Sequence, residues 1–185
     1  MKAIISDYIA RHRQNAEREL RYFRIQRTLE KAVSLAAQAK KPNGKRFSHQ
    51  RRLPNSVLRK VERKLIGAVP LLHRTRSFDE LHALVDETIR PIFGVGELMV
   101  YDTALRIGAR LGLEPEEVFL HSGTRVGARK LGLDGRRRSL PLAAFPAQLR
   151  RLPAREIEDV LCIYKNRLGK AGRTRRGFGH AVRCD

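Results

Sequence analysis

The stretch that most constrains the fold of this chain is a Gly-Val-Gly turn, Gly94 to Gly96, which lies between two segments with helical spacing. Before the turn, residues recur at intervals of three and four; these are Leu81, Leu84, Val85, Thr88 and Ile89. After it, the same spacing holds for Val100, Ala104, Ile107 and Leu111. This periodicity predicts two amphipathic helices joined by a tight hairpin. Glycine suits the turn because it adopts positive φ at little cost and lets another backbone approach closely.

A hairpin of this kind can bind an anion. The first N–H groups of the second helix have no intrahelical partner, and the helix dipole favours negative charge there. Gly94, Val95 and Gly96 would therefore present main-chain N–H groups to a phosphate. The segment from Ile89 to Leu113 resembles the helix-hairpin-helix motif that grips a nucleic-acid backbone. The alternative interpretation is a helix–helix corner that packs and binds nothing.

Charge is the strongest global property of the chain. Its 185 residues include 39 Lys and Arg against 19 Asp and Glu, for a formal net charge of +20. This potential makes a phosphate polyanion the expected partner. Residues 1–76 carry +15, residues 77–120 carry −6 and residues 121–185 carry +11. Because the hairpin lies in the acidic segment, we expect the basic flanks to supply most of the binding.

The first basic region, residues 1–76, is predicted to be helical. Helical spacing without Pro or Gly runs from about Ala3 to Ala39, which predicts one long basic helix. A basic turn follows at Lys40–Arg46, and a basic amphipathic helix begins at Pro54. The arginines of the two basic helices either lie along a phosphate backbone or form a solvated helix face. The candidate contacts here are Arg21, Arg24, Lys45, Arg46, Arg51 and Arg52.

The helical core is predicted to span residues 77–168. A capping box, Ser77–Glu80, begins the first hairpin helix, and Gly112 ends the second. A further helix can begin at Ser122–Thr124, where a small-residue helix start next to arginine is a second candidate phosphate site. Pro153 begins the last helix. The second set of candidate contacts is Arg125, Arg129, Arg136, Arg137 and Arg138.

Residues 81–133 resemble the second half of the helix-hairpin-helix DNA glycosylases. Gly94–Gly96 matches their hairpin, and Arg125–Leu133 resembles their closing Arg-Leu-Gly-Leu helix. The resemblance implies a helical DNA-binding fold. However, the turn Val118–Ser122 has no carboxylate where that family has its essential Asp, and Leu98 occupies the position of the Lys of bifunctional members. Without these groups, neither stabilisation of the sugar cation nor a Schiff-base nucleophile is provided.

Other enzyme chemistry has few candidate residues. They are Asp102, His121, Cys162 and His180. His121 could act as an acid, a base or a phosphate donor, or could simply cap the helix that follows. Cys162 lies between apolar neighbours, where a buried thiol usually only packs. No spacing predicts a metal site, a phosphate-binding loop or a hydrolase nucleophile, so we expect no metal and no cofactor.

The sequence thus predicts an all-α protein with a basic region (1–76), a helix-hairpin-helix-like core (77–168) and a basic, flexible tail (169–185). Its expected function is to bind nucleic acid, preferably duplex DNA, through the phosphate backbone. The alternatives are an unusual or degenerate DNA glycosylase, an RNA- or ribosome-associated factor, and an adaptor whose acidic segment 77–120 docks a protein. Because no secretory signal and no membrane-spanning run is visible, we expect a cytoplasmic or nucleoid-associated protein.

Overall fold

The computed structural model describes residues 1–169 and is mostly helical, with 62% helix and 5% strand. The prediction of a compact helical domain is confirmed at this level, whereas the two short strands were not predicted. The elements are α1 (Lys2–Tyr8), α2 (Gln14–Arg24), α3 (Leu29–Ala37), α4 (Asn55–Gly67), α5 (Val69–Leu72), α6 (Phe78–Ile89), α7 (Glu97–Leu111), β1 (Glu117–Phe119), α8 (Ser122–Lys130), β2 (Ser139–Pro141) and α9 (Ala154–Ile163). The predicted tail beyond Gly169, including His180, lies outside the described residues.

The prediction of one helix from Ala3 to Ala39 is wrong. A π-helical turn, Ile9–Arg13, joins α1 to α2, and the helix then ends before residues 25–28. Thr28 is extended, and its side chain accepts a hydrogen bond from the N–H of Lys31 at 3.2 Å, so it caps a new helix. The break allows α3 to pack against α2, α4 and α7. Periodicity alone missed it because the segment has neither Pro nor Gly.

The larger hydrophobic core lies between α2, α3, α4, α6 and α7. Phe23, Val61, Leu81 and Ile107 are completely buried there. Helix α3 contributes small side chains, including the buried Ala32, Ala36 and Ala37. Burial of apolar surface is the main force holding these helices together, at about 25 cal/mol for each Å² removed from water.

A smaller core joins the two ends of the chain. Tyr8 of α1 packs with residues of α8, α9 and the β1–β2 pair, and the strands are antiparallel with Val118 opposite Leu140. Helices α8 and α9 touch at the level of their backbones, because a Cβ on Gly127 would lie 2.4 Å from the carbonyl oxygen of Leu161. This contact sets how α9 faces the start of α8.

The predicted hairpin helices form with the expected ends. The Ser77 hydroxyl accepts a hydrogen bond from the N–H of Glu80 at 3.2 Å, and α6 stops before Pro91. Helix α7 ends at Gly112, which has a φ of +75°. Between them, Gly94 has a φ of +93° and Val95 is buried. Within the described residues, no helix is both long and apolar enough to cross a membrane.

Candidate functional site

Several predicted basic residues meet at one surface pocket, which we call the arginine pocket. It has a volume of about 250 Å³ and lies beside the α6–α7 hairpin. Arg90 follows α6, Arg125 belongs to α8, and Arg136 and Arg138 come from the turn before β2. The other lining residues are His82, Asp86, Glu97, Val100, Tyr101, Phe119, Leu120 and His121.

One wall of the arginine pocket is aromatic. The rings of His82 and Phe119 lie 4.4 Å apart between centroids, and those of Tyr101 and Phe119 lie 5.9 Å apart. The guanidinium of Arg138 lies over the Phe119 ring at 5.5 Å and donates to Nδ1 of His82 at 2.7 Å. Burial, together with the charges of Arg138 and Arg90, lowers the pKa of His82 to about 4. His82 is therefore neutral at pH 7 and serves as an acceptor for Arg138.

Arg125 is held by the protein itself. Its guanidinium donates to Glu97 through Nε (3.3 Å) and Nη2 (2.8 Å), and Nη1 donates to the carbonyl oxygens of Gly135 (2.9 Å) and Arg137 (2.8 Å). It thus joins the start of α7, helix α8 and the turn before β2 in one network. Its charge lines the pocket, but four of its five N–H donors are already occupied.

The arginine pocket keeps a net positive charge. Four arginines line it against two carboxylates, Asp86 and Glu97. Both carboxylates lie near Arg90, at 3.8 Å and 3.9 Å, and Arg90 is exposed. Arg136 and Arg138 are also exposed. An anion entering the pocket therefore meets arginines whose charge is only half compensated.

The other predicted contacts lie outside this pocket. Arg129 and Arg137 are exposed beside it, whereas Arg21, Arg24, Lys45, Arg51 and Arg52 are exposed on α2 and on the loop between α3 and α4. Arg46 is half-buried, and its guanidinium donates to the carbonyl oxygen of Leu53 at 2.7 Å and to the side chain of Asn55. Of the second set of predicted contacts, therefore, only Arg125, Arg136 and Arg138 line the arginine pocket.

The hairpin offers fewer N–H donors than expected. The N–H of Val95 donates to the carbonyl oxygen of Ile92 at 3.0 Å, inside the turn. Gly94 and Gly96 are exposed. At the tip, Phe93 is 97% exposed, which is unusual for a large apolar side chain. The hairpin thus presents an aromatic ring to solvent together with two glycines.

A second cavity, which we call the inner cavity, lies between α2, the 41–49 loop, α7 and α9 and has a volume of about 170 Å³. Its lining is rich in buried charge. On one side Asp102 accepts hydrogen bonds from Gln50 (2.6 Å) and Arg106 (3.2 Å), and Arg106 stacks on Phe47 at 3.9 Å. The remaining charged and polar lining residues are Glu19, Lys41, Ser48, His49, Tyr101, Arg155, Glu158 and Asp159.

Three buried donors that line the inner cavity make no hydrogen bond within the described chain. They are the hydroxyl of Tyr101, Nη1 of Arg106 and Nε of Arg155, each on a residue at most 9% exposed. Buried polar groups nearly always have partners, and leaving one without costs about 1–3 kcal/mol. The residues around the inner cavity therefore carry buried polar groups at a cost in stability.

The carboxylates of the inner cavity differ in proton affinity. Burial raises the pKa of Asp159 to about 7, and the nearby charge of Glu158 adds to this. For Asp102 burial acts in the same direction, but Arg106 and hydrogen bonds from His49 and Gln50 outweigh it, so its pKa is lowered. Asp159 can therefore hold a proton near neutral pH while Asp102 stays ionised.

His121 lies between the two cavities. It lines the arginine pocket, is 2% exposed, and its Nε2 contacts the carboxylate of Glu158, which lines the inner cavity. Its own N–H donates to the hydroxyl of Thr124 at 2.7 Å, so it is also the residue that begins α8. The turn before α8 has no carboxylate of its own, but α9 brings Glu158 to it.

Comparisons with protein-family models, with curated proteins and with solved structures found no match for this chain. Sequence reasoning named Arg125, Arg136, Arg138, Asp102 and His121, but missed the other groups that matter here. Those are Arg90, Arg106, Arg155, Glu158 and Asp159. The one local signal was the Glu158–Asp159 pair amid the apolar residues of α9.

Proposed function

We propose that this protein binds nucleic acid, preferably duplex DNA, through phosphate contacts centred on the arginine pocket. The observation that carries the proposal is the convergence of Arg90, Arg136 and Arg138 from two separate segments on one cavity that Arg125 also lines. Arginine can bridge two phosphate oxygens, and phosphate contacts supply much of the affinity of such proteins. The preference for DNA depends on the resemblance of the α6–α7 segment to the helix-hairpin-helix motif.

The exposed ring of Phe93 supports the binding of nucleic acid but not the preference for a duplex, because unpaired bases are the ones that stack on such a ring. It lies at the tip of the hairpin whose second helix begins beside the arginine pocket. Bases stack on exposed aromatic rings, and one such contact is worth about 1–3 kcal/mol. An aromatic ring next to a cationic pocket therefore provides the two kinds of contact that a nucleic-acid strand offers.

The decisive experiment measures binding as a function of salt. Fluorescence anisotropy with labelled duplex DNA, single-stranded DNA and structured RNA would give an association constant for each at several salt concentrations. Four phosphate contacts predict a slope of about −3.6 for log K against log salt on duplex DNA. Binding that barely changes with salt would refute the proposal, and tighter binding to structured RNA would refute the preference for DNA.

A charge-matched pair of variants locates the site. The double variant Arg136→Gln/Arg137→Gln removes two exposed charges at the arginine pocket and beside it. We expect it to reduce the magnitude of the salt slope by about two. The control, Arg150→Gln/Arg151→Gln, removes two exposed charges from residues that do not line the pocket. Equal losses in both would mean that binding follows total charge and not this pocket.

We infer hydrolysis of an N-glycosidic bond as a second candidate function. The observation that favours it is the position of Glu158, which reaches His121 in the very turn where the glycosylase resemblance requires a carboxylate. The pKa of Asp102 is lowered and that of Asp159 is raised, so Asp102 stays ionised while Asp159 can carry a proton. Acid–base chemistry uses such a difference between two carboxyl groups.

The second candidate has its own test. The full chain is incubated with duplexes that contain deaminated, oxidised or alkylated bases, and abasic product is measured. Glu158→Gln is expected to abolish product while DNA binding persists, and Glu116→Gln, at an exposed acid, is expected to leave product unchanged. Lack of product from the wild-type protein on all duplexes would remove this candidate without affecting the binding proposal.

A further inference from the structure

We propose that His121, Glu158 and Cys162 form a binding site for a divalent transition-metal ion of the Zn²⁺ type. One ring nitrogen of His121, one carboxylate oxygen of Glu158 and Sγ of Cys162 all lie within 4.8 Å of one another. The three residues are buried or half-buried. Imidazole, carboxylate and thiolate are the three ligand types that Zn²⁺ takes from proteins.

The fold sets this arrangement through two helices. Glu158 and Cys162 are one turn apart on α9, so their side chains lie on the same face. His121 begins α8, and the close approach of α8 to α9 at Gly127 brings its ring against that face. Gly123 leaves the space for the thiol, because a Cβ there would lie 2.9 Å from Sγ of Cys162.

The two ring nitrogens of His121 have different surroundings. Its Nδ1 is buried and makes no hydrogen bond within the described chain, while Nε2 contacts Glu158. A metal-bound histidine normally uses both nitrogens, one for the metal and one for a supporting partner such as a carboxylate. Because Glu158 is a ligand in this proposal and cannot also be the supporting partner, the ion would replace the hydrogen bond between Nε2 and Glu158, and Nδ1 would be left for a supporting partner.

The dimensions allow a metal after small side-chain movements. Ligands at about 2.0–2.3 Å in a tetrahedral site lie roughly 3.3–3.7 Å from one another. The donor atoms are already within 4.8 Å of one another, so changes of about 1 Å in their spacing would reach that geometry.

The charge balance also favours a divalent cation. Ionised Glu158 and a Cys162 thiolate supply two negative charges to a site where an unbalanced charge is costly. A bound dication would cancel both charges, and binding would therefore release protons.

Cobalt(II) provides a direct test on the full-length, reduced and chelator-treated protein. Wild type is expected to show a thiolate-to-cobalt charge-transfer band in the near ultraviolet, which Zn²⁺ then removes by displacement. Cys162→Ser is expected to lose the band and at least about 100-fold in affinity, since even outer partners of a metal contribute 10–100-fold. Cys184→Ser is the matched control, because Cys184 is the only other cysteine of the sequence, and it is expected to keep both.

Two further measurements test whether a lost band reflects lost metal binding or an unfolded variant. Zn²⁺ is expected to raise the melting temperature of wild type and Cys184→Ser but not of Cys162→Ser, whose far-ultraviolet circular dichroism verifies that it is folded. Glu158→Gln is expected to keep the charge-transfer band with at least about tenfold weaker affinity. The proposal is overturned if wild type shows no band and no thermal shift, or if the band depends on Cys184 instead of Cys162.

Discussion

Glu97 and Arg125 are joined by two hydrogen bonds, from Nε and Nη2 of the arginine to the two carboxylate oxygens, at 3.3 Å and 2.8 Å. From the sequence, an acid directly after the hairpin is a competitor for a bound phosphate. In the fold, Arg125 partly neutralises the charge of Glu97. Glu97 in turn holds the guanidinium of Arg125, which also donates to two carbonyl oxygens in the turn before β2. The pair therefore shapes the arginine pocket at the expense of some of its positive charge.

Glu97→Gln is expected to tighten binding to duplex DNA about fivefold at low salt. The reason is the loss of one negative charge at the pocket, since two unit charges about 4 Å apart in water interact by about 1 kcal/mol. Arg125 keeps its bonds to Gly135 and Arg137, so the pocket should retain its shape. Anisotropy titrations would measure the change, with Glu116→Gln as a control for general charge. Unchanged affinity for Glu97→Gln would place the phosphate elsewhere.

His82→Phe is expected to make the protein less sensitive to acid. In the folded state the pKa of His82 is lowered to about 4, whereas an unperturbed histidine has a pKa of about 6.5. The unfolded state thus binds more protons between these values, so the contribution of His82 to stability is complete above about pH 6.5 and is lost as the pH falls towards 4.

Urea titrations of the wild-type and His82→Phe proteins between pH 4 and 7 would measure this effect. The free energy of unfolding of the variant should fall by roughly 2–3 kcal/mol less than that of wild type over this range. His73→Gln, at an exposed histidine, should follow wild type. Parallel curves for all three proteins would contradict the assignment.

The stability of Asp159→Asn relative to wild type is expected to increase with pH. The folded carboxyl holds its proton up to about pH 7, whereas an unperturbed aspartate ionises near 3.9. The folded state binds more protons in between, so wild type loses stability as the pH rises from about 4 to 7, opposite in sign to the effect of His82. The stability difference between variant and wild type should grow by roughly 2–4 kcal/mol from pH 4 to pH 8.

The same unfolding measurements on Asp79→Asn provide the comparison, since Asp79 is exposed on α6. Its difference from wild type should change little over that range. Tyr8 donates to Asp159 at 2.7 Å, and an asparagine oxygen can accept the same bond, so the variant retains this contact. A difference for Asp159→Asn that does not grow with pH would show that this carboxyl ionises normally.

Gly127→Ala is expected to destabilise the fold by about 3 kcal/mol. The new Cβ would lie 2.4 Å from the carbonyl oxygen of Leu161, and because that atom is backbone, the helices α8 and α9 must separate. Gly67→Ala is the control, since a Cβ there meets nothing within 4 Å. Thermal or urea unfolding would compare the two, and equal stabilities would show that the contact between α8 and α9 is loose.

The sequence predicted the helices around the hairpin well because their ends have local chemical causes. Ser77 caps α6 and Gly112 ends α7 through interactions within a few residues. The break after α2 also has a local cap, since the hydroxyl of Thr28 accepts from the N–H of Lys31 three residues later, but without Pro or Gly the helical periodicity continues across it. The strands β1 and β2 were missed for a different reason: each has three residues, and their pairing joins segments 20 residues apart.

The candidate site was less predictable because it depends on contacts between distant segments. Basic residues near the hairpin could be named from composition, but the network that occupies Arg125 could not. Glu158 lies 37 residues after His121, and Asp159 lies 151 residues after Tyr8, its hydrogen-bond partner. No local pattern encodes such pairs. What the sequence did offer was two adjacent acids, Glu158 and Asp159, between apolar residues of α9.

The π-helical turn at Ile9–Arg13 changes the direction in which the side chains of α1 point relative to those of α2. At about 100° per residue, the twelve steps from Tyr8 to Leu20 would leave these side chains about 120° apart around a regular helix. A π turn absorbs one extra residue, which reduces the offset to about 20°. Tyr8 and Leu20 therefore lie on nearly the same side of the helix, where Tyr8 packs in the smaller core and Leu20 and Phe23 pack in the larger one. A regular α-helix of the same sequence would leave Tyr8 and Leu20 about 120° apart and could bury only one of its halves.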